Sequence, residues 1–128
     1  HPAPRTPKDL AAHSTIDFGG IHDPSQAGHW RFFADGRPHT VAITPRLVTN
    51  SADAAIDHAE RGGGLTMVLA YQVAAAVRSK RLAVVLRRFE PPPIPIHLVY
   101  PTARLLSAKV RAFIELALAT CDWRFTRL

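Results

Sequence analysis

The residues predict a layered α/β fold, and three observations carry that prediction. Short apolar runs at Ser14 to Phe18, Arg46 to Thr49, Leu65 to Leu69 and Leu82 to Leu86 are separated in the later half by stretches of helical composition, the alternation that implies parallel pairing in one sheet. Leu65 to Leu69 has no strict apolar and polar alternation, as expected of a strand covered on both faces. Gly62-Gly63-Gly64 closes a helical stretch just ahead of the next apolar run, supplying the positive φ values that end helices. At 128 residues and 47% hydrophobic content, the chain suits one domain with a real core and is excluded from the disordered class.

In chain order, Thr6-Pro7-Lys8-Asp9 is a helix start: Thr6 caps, Pro7 suits the first helical position, and Asp9 sits near the positive end of the helix dipole. That helix ends near His13. Ser14 to Phe18 is a strand closed by Gly19-Gly20, and residues 21 to 29 form a polar loop. Trp30 to Phe33 and His39 to Ile43 flank Ala34-Asp35-Gly36-Arg37, a hairpin signal, with Pro38 and Pro45 limiting the second run. Arg46 to Thr49 is the next strand. Asn50 or Ser51 then caps a helix from Ala52 to Arg61, whose Ala52, Ala55, Ile56 and Ala59 share one face.

After the glycines, Leu65 to Leu69 is a strand, Tyr71 to Ser79 a helix and Leu82 to Leu86 a further strand. Pro91-Pro92-Pro93 and Pro95 lock φ and deny ladder donors, so this segment is a stiff crossover. Ile96 to Tyr100 reads as a strand. Leu106, Val110, Phe113, Ile114, Ala117 and Leu118 follow helical spacing and form an amphipathic C-terminal helix. The last nine residues show no period.

Sixteen Lys and Arg against ten Asp and Glu give a net charge of +6. The cations Arg78, Lys80, Arg81, Arg87, Arg88 and Arg104 are scattered, which reads as solvated faces rather than a nucleic-acid surface. Cys121 is the one cysteine, so no internal disulfide forms and a reducing compartment is expected. No apolar run approaches the ~18 residues of a membrane span, and His1-Pro2-Ala3-Pro4-Arg5 is not a signal peptide. The chain has no initiator methionine and reads as a piece of something longer.

The order of several fragments resembles one family. Pro7 to His13, Trp30-Arg31-Phe32, Leu47 to Ser51, Gly64-Leu65 through Tyr71-Gln72-Val73, Arg81-Leu82, and Pro95 to Pro101 followed by Leu106 to Ile114 are together similar to the effector-binding region of LysR-type transcriptional regulators. The likeness runs from about Pro7 to Leu118. It implies a type 2 periplasmic-binding-protein-like lobe, a three-layer sandwich with a mixed sheet, here truncated. Residues 1 to 90 would form the second lobe of the effector domain and 91 to 95 a crossover hinge. Residues 96 to 120 would supply a strand and helix returning to the first lobe, and 121 to 128 a tail. The resemblance further implies a cytoplasmic bacterial regulator that self-associates as dimers or tetramers. DNA would be met only through an N-terminal helix-turn-helix domain that this chain lacks.

Two strand-to-helix turns are the candidate effector site. A helix N-terminus carries about half a positive charge on unpaired N–H groups and attracts carboxylates and phosphates. Asn50 and Ser51 read either as ligand contacts or as plain caps, and in the family this turn faces the cleft. Leu69 stands where family members often carry proline. Leu69-Ala70-Tyr71 opens a helix with no Ser, Thr, Asp or Asn cap, so its first N–H groups need water, a distant side chain or a ligand. Thr66 and Tyr71 add hydroxyls, although Tyr71 also reads as a core aromatic with a wet tip.

No other chemistry is expected. Among seven histidines, His22 and His29 flank a loop with Asp23, but no zinc-type spacing occurs. Ser51, Asp57 and His58 lie along one short helix and cannot converge as a triad, and no Gly-x-Ser-x-Gly is present. Gly62-Gly63-Gly64 lacks the lysine of a phosphate loop. The expectation is therefore a small-molecule sensor with no catalytic residue, metal, cofactor or membrane partner. The rival reading is a solute-binding protein of a transporter with the same fold, distinguished by a signal peptide where a regulator carries its helix-turn-helix.

Overall fold

The structure, a computed structural model, describes residues 2–18, 27–95, 97–100 and 107–120. It begins with a 3-10 helix at Pro7–Ala12, bounded by bonds three residues apart, from Asp9 N–H to the Thr6 carbonyl (3.1 Å) and from His13 N–H to the Leu10 carbonyl (3.0 Å). The cap is supplied by Asp9. Its carboxylate accepts from the backbone N–H groups of Arg5 (2.8 Å) and Thr6 (2.9 Å) and from the Thr6 hydroxyl (3.1 Å).

Those donors, the Thr6 N–H foremost, hold the Asp9 carboxyl below its ordinary value of 3.8. A depressed carboxyl contributes stability above that ordinary value and loses it as pH falls through the lower folded value. The Arg5 and Thr6 amide resonances should therefore titrate together below pH 3.8. Asp9→Asn should abolish that transition, and an unchanged titration in the variant would refute the cap.

Five strands follow among the described residues. β1 (Thr15–Phe18), β4 (Pro45–Thr49) and β5 (Leu65–Thr66) form a parallel sheet in the order β4-β1-β5. Between β1 and β4 in sequence, β2 (His29–Ala34) and β3 (Arg37–Ala42) make a separate antiparallel hairpin. Parallel and antiparallel pairing thus both occur, on two sheets. Asp35 (φ 51°) and Gly36 (φ 73°) both take positive φ, the requirement of a two-residue I′ turn whose twist suits a hairpin. β3 starts earlier than Pro38 suggested, and Pro38 is accommodated opposite Phe33, because a strand at a sheet edge tolerates a missing donor.

Helix α1 (Ala52–Glu60) carries the chain from β4 across β1 to β5 and buries Ala55, Ile56 and Ala59. Its small side chains let the helix approach the sheet, where Ile16, Ala55 and Ala59 form one core cluster with Phe18, Leu47 and Leu82 packed against it. The opposite face is covered by the hairpin and the 3-10 segments. There Leu10, Trp30 and Phe32 form a second cluster with Val41, Ile43, Leu65, Met67, Leu86 and Phe89. Successive residues of a strand point to opposite faces. β1, the central strand, is therefore covered on both.

Two side-chain hydrogen bonds tie the layers together. Asp17, 6% exposed, accepts from the Gly28 N–H (2.8 Å) and from the Trp30 indole Nε1–H (3.3 Å). The end of α1 is closed by bonds from Gly62 N–H to the Ala59 carbonyl and from Gly63 N–H to the His58 carbonyl, both 2.9 Å. Gly62 has φ +81°, as a helix stop requires. At Gly64 (φ +141°) a Cβ would collide with the Ser14 carbonyl, the same group that accepts the Leu65 N–H at 2.9 Å. Only glycine lets β5 reach β1 there.

Three expected elements differ. The Leu65 to Leu69 strand contracts to Leu65–Thr66. Leu82 to Leu86 is not a strand. In a strand, residues four apart share a face, yet Leu82 enters the helix-side cluster and Leu86 the hairpin-side one. The chain wraps round the sheet instead, with Lys80 and Leu86 at positive φ (60° and 58°), into a 3-10 turn at Arg87–Phe89.

In the expected strand at Ile96 to Tyr100, residues 97–100 join no ladder among the described residues, and Val99 is 92% exposed. A strand exists only with a neighbour to receive its hydrogen bonds. Helix α2 (Ala70–Arg78) packs beside α1, and α3 (Ala108–Thr120) forms as its spacing predicted. Gly19-Gly20, His22, Asp23, Arg104, Leu106 and Cys121 lie outside the described residues.

Candidate functional site

The parallel sheet determines where its helices begin. Phe18, the last residue of β1, pairs with Thr49, the last of β4, while Ile16 pairs with Thr66. Asn50 and Ser51 therefore leave β4 one step past the end of β1. Met67-Val68-Leu69 carry the neighbouring chain to the same edge before α2 starts at Ala70. Both helix N-termini thus open at the carboxyl edge of the sheet, on either side of its central strand. In open α/β sheets this edge is where ligands bind.

The first turn is built by three adjacent residues. Thr49 Oγ1 accepts the Ser51 N–H (3.1 Å), and Ser51 Oγ accepts the Ala54 N–H (3.3 Å). The Ser51 carbonyl accepts the Ala55 N–H (3.1 Å). Ser51 is therefore the cap, with a hydroxyl proton still to donate. Asn50 is exposed at the tip of the turn. The role of Thr49 escaped the sequence reading, because it ends a strand and its hydroxyl acts two residues on.

At the second turn a side chain supplies one of the expected partners. The Leu69 N–H does not await water or a ligand, since Gln72 Oε1 accepts it at 3.0 Å. This is the returning half of a capping box, and leucine has no oxygen for the other half. Gln three residues past a helix start was a legible signal. Tyr71, the second residue of α2, is exposed. Thr66 is set two residues back from the edge and on the helix face by strand alternation. Its Oγ1 is buried with no hydrogen-bond partner among the described residues, as is Oγ1 of Thr15.

The structure thus brings Asn50, Ser51, Leu69 and Tyr71 to one edge and sets Thr66 beneath it. Elsewhere, a shallow depression of about 310 Å³ lies against the N-terminal helix, lined by Pro2, Pro4, Arg5, Asp9 and His13 among others. Its Asp9 carboxylate is already engaged by backbone N–H groups, and it is remote in sequence from both turns. No group of three or more His, Cys, Asp or Glu among the described residues is arranged to hold a metal. No helix among them is long and apolar enough to cross a membrane.

The chain is 31% identical over 112 residues to the HTH-type transcriptional regulator PgrR of Escherichia coli K12, covering 88% of this chain and 37% of that protein. It is 30% identical over 86 residues to the LysR family substrate binding domain-containing protein YagP of the same organism, covering 67% of this chain and 63% of that one. It thus spans between about a third and two thirds of these relatives.

The fold matches the regulatory domain of Vibrio vulnificus AphB treated with cumene hydroperoxide (TM-score 0.77, 21% identity, 93% of this chain, 57% of that one). It also matches a full-length variant of AphB (TM-score 0.74, 19% identity, 92% of this chain, 39% of that one). A family model described as the LysR substrate binding domain matches residues 1–122. With nearly the whole chain matched by that model, the protein belongs to the LysR substrate-binding domain family.

Proposed function

We propose that this chain is the effector-sensing part of a LysR-type transcriptional regulator and is not an enzyme. A small anionic effector is received at the edge where α1 and α2 begin. The observation that carries this reading is the convergence of two helix N-termini on one sheet edge, where partial positive charge favours an anion. Asn50, Ser51 and Tyr71 supply side-chain contacts, Leu69 lies at the second turn, and Thr66 acts from beneath. Residues 1–90 are one lobe of a two-lobed domain, 91–95 the hinge, and 96–120 the arm returning to the other lobe. The effector works by differential affinity for two lobe arrangements, read out by DNA-bound dimers or tetramers through a separate helix-turn-helix domain.

The test is calorimetry with succinate, benzoate and inorganic phosphate on this chain and on a longer chain carrying both lobes. The longer chain should bind at least one, and Asn50→Ala should weaken that binding about tenfold, or about 1.4 kcal/mol. Ser51→Ala should also cost about 1 kcal/mol of stability as a lost cap. This chain alone should bind weakly or not at all. Tight stoichiometric binding by this chain alone, or affinity unchanged in both variants, would overturn the site.

Self-association belongs to the same reading. Ile94 in the hinge, Leu98, Val99 and Tyr100 in the arm, and Val110, Phe113, Leu116 and Leu118 on α3, are exposed. Apolar patches of this kind seek cover in water. Sedimentation should show the chain associating as concentration rises. A monomer at all concentrations with α3 amides exchanging freely would refute this.

A further inference from the structure

We draw no further inference here: the strongest candidate, the exposed apolar side chains of helix α3, already belongs to the self-association proposed above, and nothing among the described residues shows what covers them.

Discussion

Ile16→Ala should destabilise the fold by about 2–5 kcal/mol, the largest single effect expected in this chain. Ile16 is 0% exposed and sits at the middle of the central strand, paired with Leu47 on one side and Thr66 on the other. Across the layer it meets Ala55 and Ala59 of α1. The methyl groups of the two alanines cannot swing into a void, so part of the cavity would stay open even as Phe18, Leu47 and Leu82 settle toward it. A domain of this size is stable by only about 5–15 kcal/mol in total. Urea unfolding would measure the loss, with Ile16→Val as a control expected to cost about 0.5–1.5 kcal/mol. A loss below about 1 kcal/mol for Ile16→Ala would mean that α1 does not pack on β1 as described.

Asp17→Ala should cost about 2–4 kcal/mol, because it strands a buried indole donor and a half-buried backbone N–H rather than removing one contact. The carboxylate receives the Gly28 N–H and the Trp30 indole N–H, and Trp30 is itself buried in the hairpin-side core. Asp17→Asn keeps an acceptor oxygen and should lose about half as much. The pairing is separable from general damage by a double-mutant cycle with Trp30→Phe, which removes the indole donor. The cycle should return a coupling of about 0.5–3 kcal/mol. Strict additivity would show that Asp17 and Trp30 do not act together. The same bond joins the parallel sheet to the hairpin, so hydrogen exchange in β2 and β3 should accelerate in Asp17→Ala more than exchange in α1.

The stretches that the sequence described well are those whose geometry is set within four or five residues. Thr6-Pro7-Lys8-Asp9 carried its helix start, Asp35-Gly36 its hairpin and Gly62-Gly63-Gly64 its helix stop, because each needs only a local side chain or a positive φ. Ser51 as a cap was legible for the same reason. Gln72 was equally local, but it caps from three residues inside the helix rather than from the position before it, where a cap is normally sought. The candidate site was visible as two turns. That they share an edge follows from the register of β1 with β4 and β5, and that Thr66 lies below it follows from the alternation of side chains along β5.

What the sequence determined by itself was the layered α/β class, the family likeness, and the places where helices begin and end. Tertiary structure decided the rest, because a strand is defined by its neighbour and a buried polar group by its distant partner. Leu82 to Leu86 has a strand's composition but serves two cores, so it wraps the sheet rather than joining it. Residues 97–100 are as apolar as any strand and pair with nothing among the described residues. Asp17, unremarked in a short apolar run, became the joint between two sheets only when the fold brought Gly28 and Trp30 to it.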